Sequence, residues 1–333
     1  MYESSSDVPE AGDRSIVVNE LTKRFDERTV VDRLSFEVRP GEIFGVLGRN
    51  GSGKSTTVRM LTTLLTPSSG SASVAGFDVV AEPRRVRSSI GVTLQDATVD
   101  PNMTGRQHLR LVGRLLGNST AAVGLRSDEL LELFGLTAAA GRPIRTYSGG
   151  MQRRLDIATA LFDAPPVLFL DEPTTGLDPQ SRRALWGQIR DLQARGTTLF
   201  LTTQYLEEAD QLAHRIVVLD AGTIIAEGSP TELKHIHGHR TITIRGDHAD
   251  AIRQATQGLT VTSTGDTTTV EGSAAIDVDA ILIGIRGAVD HLDGLTGSET
   301  SLEDVFIHLT GHDINTPERS ADPTADADAG VAA

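Results

Sequence analysis

One short stretch limits what this chain can fold into: Gly48-Arg49-Asn50-Gly51-Ser52-Gly53-Lys54-Ser55. A compact apolar run (Ile43, Phe44, Val46, Leu47) precedes it, and Val58, Met60, Leu61, Leu64 and Leu65 follow at helix-like spacing. Strand, glycine loop and helix, in that order, are what a phosphate-binding loop requires. Its glycines put no Cβ in the way, so successive backbone N–H groups can curl round a phosphate. The helix that starts there adds the positive end of its dipole. Lys54 can reach the β- and γ-phosphates, and the Ser55 hydroxyl is placed to ligate Mg²⁺. A glycine-rich loop can match such a pattern by chance, but the strand before it and the helix behind it argue against that here. The stretch says nucleotide without saying what the nucleotide is for.

At 333 residues the chain is long enough for two domains. It has no cysteine, which excludes a disulfide framework and a thiolate metal site and suits a reducing interior. The N-terminus lacks the basic start and apolar stretch of a signal peptide, and no apolar run approaches membrane-spanning length. Any membrane role is therefore expected to come through a partner. A formal net charge of −14 argues against a nucleic-acid-binding surface.

Residues 1–14 are polar and without periodicity and are expected to be disordered. Short strands are predicted at Ile16-Val17-Val18, at Val30-Val31 and from Leu34 to Val38. Phe25, between the first two, could stack on a purine base or be a sheet-core residue. A strand at 71–74, a helix opened by Pro83 and a strand at 90–94 ending at Gln95 come next. Thr104 has capping-box spacing to Gln107, and Ser127 is expected to open a second amphipathic helix. Residues 96–146 thus read as a helical insert, followed by a third helix opening at Ser148. Val167-Leu168-Phe169-Leu170 reads as a buried parallel strand, ending in Asp171-Glu172. Asp178 and Pro179 cap a long helix. The next strand, 198–203, is followed by Gln204, a helix and a hairpin around Ala221-Gly222. Strands alternating with helices around a phosphate loop mean an α/β fold with a mostly parallel sheet. From about residue 239 the pattern β-α-β-β-α-β plus a last helix suggests a small ferredoxin-like α+β domain, 239–312. Residues 313–333 read as a disordered acidic tail.

Phosphoryl transfer to water needs the triphosphate held, its charge neutralised by Mg²⁺ and a water aligned. Asp171, at the end of an apolar strand, is the expected carboxylate that positions Mg²⁺ through water. Glu172 beside it can accept the proton of the attacking water as general base; adjacent carboxylates also occur as helix caps or solvated charge. Ser148, Gly149 and Gly150 open a helix and so form another anion site. Two phosphate-gripping elements in one chain suggest that one of them grips the nucleotide of a second copy. The plainer alternative is a loop-to-helix turn.

The phosphate loop at 48–55, Gln95, Tyr147-Ser148-Gly149-Gly150-Met151, Asp171-Glu172 and Thr175-Gly176-Leu177-Asp178 occur in order. Over about residues 15–235 the chain resembles the nucleotide-binding subunit of an ATP-binding-cassette (ABC) transporter. The runs 202–210 and 301–306 are similar to the daunorubicin-resistance type of drug-export ATPase. The resemblance implies a P-loop NTPase fold. It has a RecA-like core, an antiparallel β subdomain and a helical subdomain at about 96–163, together forming a nucleotide-binding domain at 15–238. By the same resemblance Phe25 stacks on adenine, and Gly48, Arg49, Asn50, Gly51, Ser52, Gly53, Lys54, Ser55 and Thr56 cradle the phosphates of ATP. Ser55, Gln95 and Asp171 attend Mg²⁺, and Gln95 also touches the attacking water. Ser148, Gly149 and Gly150 close on the partner's γ-phosphate in a head-to-tail homodimer, and Asp178 couples the two sites. The implied partner is a separate membrane permease at the cytoplasmic face of the membrane, through which ATP hydrolysis drives export of a drug-like compound.

Four positions, in three motifs, depart from the family pattern. Arg49 stands where proline is usual, and Tyr147 and Met151 replace the commoner leucine and glutamine. Gln204 stands where most of the family has histidine. An amide can still donate a hydrogen bond to the γ-phosphate but cannot carry a proton. A hydrogen bond to a charged group is worth about 1.5–3 kcal/mol, so its loss would cost roughly ten- to 150-fold in rate. Gln204 is expected to keep that bond, and hydrolysis to survive. Two other readings are a soluble ABC ATPase acting on ribosomes or DNA, and a poorly hydrolysing regulator.

Overall fold

The structure is a computed structural model that describes residues 14–95, 99–237, 239–245, 249–255, 259–264, 266–273, 283, 295–298, 300–312 and 314. The chain opens with strands β1 (Ile16–Phe25), β2 (Arg28–Val38) and β3 (Ile43–Leu47), and helix α1 (Lys54–Leu61) starts at the phosphate loop. Next come β4 (Ser69–Val74), β5 (Phe77–Asp78), α2 (Pro83–Ser88) and β6 (Ile90–Thr93). Three helices follow, α3 (Gly105–Leu115), α4 (Thr120–Leu133) and α5 (Gly149–Ala160). The chain then alternates through β7 (Val167–Asp171), α6 (Pro179–Ala194), β8 (Thr198–Thr203), α7 (Leu206–Leu212), β9 (Arg215–Asp220), β10 (Thr223–Gly228) and α8 (Pro230–His237). The last described elements are β11 (His239–Arg245), α9 (Ala249–Ala255), β12 (Thr260–Ser263), β13 (Thr267–Ser273), β14 (Leu295–Ser298) and α10 (Leu302–Thr310).

The main sheet has the order β10-β9-β3-β8-β7-β6, parallel except for the edge strand β10. Every residue of β3, β7 and β8 is buried, as expected where helices cover both faces of a parallel sheet. Parallel strands deliver their C-terminal ends to one edge, where α/β folds bind ligands. That edge carries the phosphate loop after β3, Gln95 after β6, Asp171 and Glu172 at the end of β7 and Gln204 after β8.

A second, antiparallel sheet, β2-β1-β4-β5, packs against the first. Phe36 of β2 stacks on Phe44 of β3 with ring centroids 5.1 Å apart, and Phe44 lies 5.8 Å from Phe200. The predicted fragments 16–18, 30–31 and 34–38 are parts of one long hairpin. Register shifts between Val18 and Leu21 and again up to Arg24 break the alternation that marks a strand in sequence.

The helices α3, α4 and α5 share one apolar cluster, with Leu109, Leu130, Leu131, Phe134 and Leu155 fully buried. The capping box of Thr104 and Gln107 is present. Ser127 does not open α4. Ser119 caps that helix, and Ser127 lies inside it with its buried hydroxyl donating to the Val123 carbonyl at 2.6 Å. A serine can satisfy itself against the preceding turn as readily as it can cap, so the sequence signal is two-sided.

Helix α8 has no counterpart in the predicted elements, though Ser229-Pro230-Thr231-Glu232 carries its start. Ser229 N donates to Glu232 Oε2 at 2.8 Å and Glu232 N donates to Ser229 Oγ at 3.1 Å. Beyond it, the antiparallel sheet β12-β13-β11-β14 has the strand order of a β-α-β-β-α-β unit. The expected second helix of that unit, at 278–285, falls almost entirely outside the described residues, as do 1–13 and 315–333. Helix α10 packs Leu302, Val305 and Phe306 into a cluster with Leu47 of β3, Ala209 of α7, Ile216 and Val218 of β9 and Leu233 of α8. Ile314, expected in the tail, is buried in the same cluster.

Candidate functional site

Lys54 is the buried centre of the phosphate loop, 4% exposed. Its Nζ donates to the carbonyls of Gly48 at 2.8 Å and Arg49 at 2.9 Å, and lies 3.3 Å from Glu172 Oε1. Burial pushes the ammonium pKa down, against the pull of Glu172 and Asp171. Gly53 precedes α1 at φ +103°, and a Cβ there would meet the Val30 carbonyl at 2.9 Å, so the position excludes any side chain. Asn50, Gly51, Gly53, Lys54, Ser55 and Thr56 line a cleft of about 500 Å³, joined there by Phe25, Gln95 and Glu172. Gly48, Arg49 and Ser52 lie behind this wall. Gly48 and Arg49 hold Lys54 through their carbonyls, and the Ser52 hydroxyl is buried without a hydrogen-bond partner.

Phe25 ends β1, 45% exposed, with the Lys23 ammonium 5.0 Å from its ring centroid. It faces the cleft, not the sheet core. Asp171, buried, accepts hydrogen bonds from the Thr202 hydroxyl and, at 3.3 Å, from Ser55 Oγ. The parallel register that sets Asp171 beside Thr202 makes this contact possible. Glu172 takes φ +46°, rare for a residue with a Cβ. Its N–H donates to the Thr202 backbone and side-chain oxygens, each at 3.1 Å, and Thr175 Oγ1 donates to its Oε2 at 3.2 Å. The Ser55 hydroxyl and the Gln95 amide, which line the cleft, and the Asp171 carboxylate bonded behind Ser55 are hard oxygen donors. Among the described residues no group of three or more His, Cys, Asp or Glu forms a metal cluster. That donor set fits Mg²⁺, which keeps waters and phosphate oxygens as further ligands.

The remaining predicted residues stand apart from the cleft wall. Gln204 is half-buried between β8 and α7 and does not line the cleft. Ser148 caps α5, accepting from Met151 N at 3.3 Å, and both Ser148 and Gly149 are exposed. Gly150 is buried against α6, where a Cβ would meet Ser181 Oγ at 2.7 Å; at Gly149 the nearest atom is Leu177 Cδ2 at 3.9 Å. The chain's own packing therefore demands glycine at 150 and not at 149. Asp178 caps α6, accepting from Ser181 N at 2.9 Å and Ser181 Oγ at 2.6 Å, bonds that hold its carboxyl below the ordinary value. Asp178 and Gly150 thus meet through one residue, Ser181.

The structure also explains Tyr147. Its ring is buried, its Oη donates to the Ala139 carbonyl at 2.7 Å, and a Cβ at Gly105 would lie 2.5 Å from that oxygen. Missing from the sequence-based set is Arg153, buried in α5. Its Nη1 donates to the Leu94 carbonyl at 2.6 Å, Nη2 to that of Asp171 at 2.8 Å and Nε to that of Pro173 at 3.0 Å; Asp156 pairs with it at 3.2 Å. One guanidinium so ties α5 to the residues flanking Gln95 and Glu172. Nothing in the sequence separates Arg153 from its half-buried neighbour Arg154; only the fold decides which one turns inward.

The family model of the ABC transporter matches residues 31–175. The daunorubicin/doxorubicin resistance ATP-binding protein DrrA of Streptomyces peucetius is 45% identical over 323 residues, 94% of this chain and 97% of that protein. The chain belongs to the ABC transporter family. The Nod factor export ATP-binding protein I of Ralstonia nicotianae is 40% identical over 304 residues, 89% of this chain and 94% of that one. Among solved structures, cbiO1 from Clostridium perfringens, part of the ABC transporter complex cbiONQ, superposes with a TM-score of 0.63 at 26% identity, over 66% of this chain and 90% of that one. This ABC ATPase binds and hydrolyses ATP as a transporter subunit. Among the described residues no helix is long and apolar enough to cross a membrane.

Proposed function

We propose that two copies of the chain meet head to tail and power export of a drug-like or hydrophobic compound through a separate membrane permease at the cytoplasmic face. The observation that carries this reading is the split of the phosphate-binding parts. The cleft holds the phosphate loop, Phe25, Gln95 and Glu172, while Ser148 and Gly149 open α5 exposed and outside that cleft. An open glycine that nothing in its own chain requires suits the approach of another subunit's phosphate. Similarity to the daunorubicin/doxorubicin resistance and Nod factor export ATP-binding proteins supports export over action on ribosomes or DNA.

In this reading Phe25 stacks on adenine, the loop and Lys54 hold the β- and γ-phosphates, and Ser55, Asp171 and Gln95 hold Mg²⁺, which neutralises developing charge. Glu172 takes a proton from water as the water oxygen bonds to the γ-phosphorus; the bond to ADP breaks and phosphate leaves. Gln204 donates a hydrogen bond to the γ-phosphate, and Asp178 relays closure through Ser181 to Gly150. The ferredoxin-like reading of the C-terminal unit belongs to the same proposal, as a module for assembly with the permease or for stabilising the dimer. The test is specific ATPase activity against protein concentration, followed by co-purification of the tagged chain from membranes. Activity per chain should rise with concentration, and a hydrophobic permease should be recovered with it. Activity independent of concentration, or recovery with ribosomes, would contradict the proposal.

A further inference from the structure

Glu208 is fully buried in α7, four residues beyond Gln204, and does not line the cleft. Its Oε1 accepts from Nε1 of Trp186 on α6 at 3.1 Å, across the α6–α7 contact. Its Oε2 is buried without a hydrogen-bond partner, and so is the hydroxyl of Thr174. The hydroxyls of Thr174 and Thr203 nevertheless lie near enough to favour the ionised carboxyl, as does the charge of Arg182, while burial dominates and pushes its pKa up. Arg153 feels the same carboxyl from α5. A buried carboxyl in this setting is costly compared with a packed apolar residue, so folding alone does not call for it.

Three segments around it share a role: Trp186 bonds to it directly, and Thr174 and Thr203 lie near its carboxyl. Thr174 lies in the loop that runs from Glu172 to Asp178. Thr203 precedes Gln204 and holds the turn there, its Oγ1 accepting from Tyr205 N at 2.9 Å. Trp186 belongs to α6, the helix that Asp178 caps. We infer that Glu208 is a positioning residue for hydrolysis: it pins the Gln204 turn to the loop between Glu172 and Asp178, so that base, γ-phosphate ligand and dimer-facing carboxylate shift together. This rests on the roles proposed above for Glu172, Gln204 and Asp178. The unpartnered Oε2 and Thr174 hydroxyl are the pair that a small closing movement would join.

The experiment uses the full chain with ATP and Mg²⁺ and compares Glu208→Ala with Glu208→Gln. Trp186, the single tryptophan of the chain, reports the contact by its fluorescence. Glu208→Ala should lower kcat by about ten-fold or more, on the scale of one lost hydrogen bond to a charged group, with nucleotide affinity within about two-fold of wild type. It should also alter Trp186 emission and abolish its response to ATP. Glu208→Gln, which can still accept from Trp186 and donate to Thr174, should restore kcat to within about three-fold. Thr174→Val keeps the shape and removes the hydroxyl, and gives the same kcat loss with affinity kept; it serves if Glu208→Ala does not fold. The inference is overturned if kcat is unchanged in Glu208→Ala or Thr174→Val, if affinity and kcat fall in proportion, or if glutamine rescues nothing. Glu172→Gln is the control. If that variant hydrolyses like wild type, the reading of the site fails; if it is inactive while Glu208→Ala is not impaired, the Glu208 inference alone fails.

Discussion

Glu172→Gln should have opposite effects on hydrolysis and on binding. Glu172 and Lys54 lie 3.3 Å apart, 7% and 4% exposed. At an effective dielectric of about 20 their attraction is roughly 5 kcal/mol, an upper bound because burying both charges costs part of it. A hydrogen bond between charged groups contributes about 1.5–3 kcal/mol net. In the proposed mechanism ATP draws Lys54 toward its phosphates against that hold. The amide keeps the bond from Thr175, now 3.2 Å, but removes the charge facing Lys54. Affinity for ATP should therefore rise by up to roughly ten- to 150-fold. Loss of a general base should lower kcat by about 10²- to 10⁴-fold. Equilibrium titration with ATP and single-turnover hydrolysis measure the two separately. Hydrolysis within about ten-fold of wild type would refute the role of Glu172 as base, and unchanged or weaker affinity would refute its restraint on Lys54.

The other predictions concern how the site is supported. Arg153→Lys leaves carbonyls of Leu94, Asp171 and Pro173 without their fork of donors, so thermal denaturation should show a loss of about 3 kcal/mol or more. Gly150→Ala drives a Cβ into Ser181 and should destabilise by about 1–3 kcal/mol; Gly149→Ala should fold like wild type in the same assay and lose hydrolysis. Burial raises the Glu208 pKa in the folded chain, so the folded state binds that proton more tightly than the unfolded state. The stability this contributes is full below the unfolded pKa and is lost as pH rises through the folded one. Melting temperature measured across that window should fall more for wild type than for Glu208→Gln.

Much of the site was legible in the sequence because its motifs are short and local. Gly48 to Ser55 sits between a strand and a helix, and Asp171-Glu172 ends an apolar run, so backbone direction alone delivers them to one edge of the sheet. Phe25 was ambiguous because a strand-end aromatic can face core or cleft, and only the bulged hairpin decides. Alternation shows the hairpin only as fragments for the same reason: a bulge erases the period of two. Ser127 and Ser119 show the limit of capping signals, since both hydroxyls accept or donate one bond to a nearby turn. Arg153, Thr202 and Glu208 could not be found locally. Arg153 holds carbonyls 18, 20 and 59 positions away, Thr202 a carboxylate 31 away and Glu208 an indole 22 away, and a buried polar residue is indistinguishable from an exposed one until its partners are in place. The docking of α10 against β3, β9, α7 and α8 was hidden likewise, because an amphipathic helix does not say which surface it covers.

Mixing two inactive chains tests the central claim most directly. Lys54→Ala removes the ammonium proposed to bind phosphate, and Gly149→Asp places a negative charge where the proposal brings a partner's phosphate. Each variant alone should be nearly inactive, while folding as wild type. In a head-to-tail dimer the mixed pair contains one intact site, with the loop from one chain and the α5 N-terminus from the other. ATPase activity should therefore reappear on mixing. No recovery at concentrations where wild type is fully active, or full activity of Gly149→Asp by itself, would contradict a site shared between two chains.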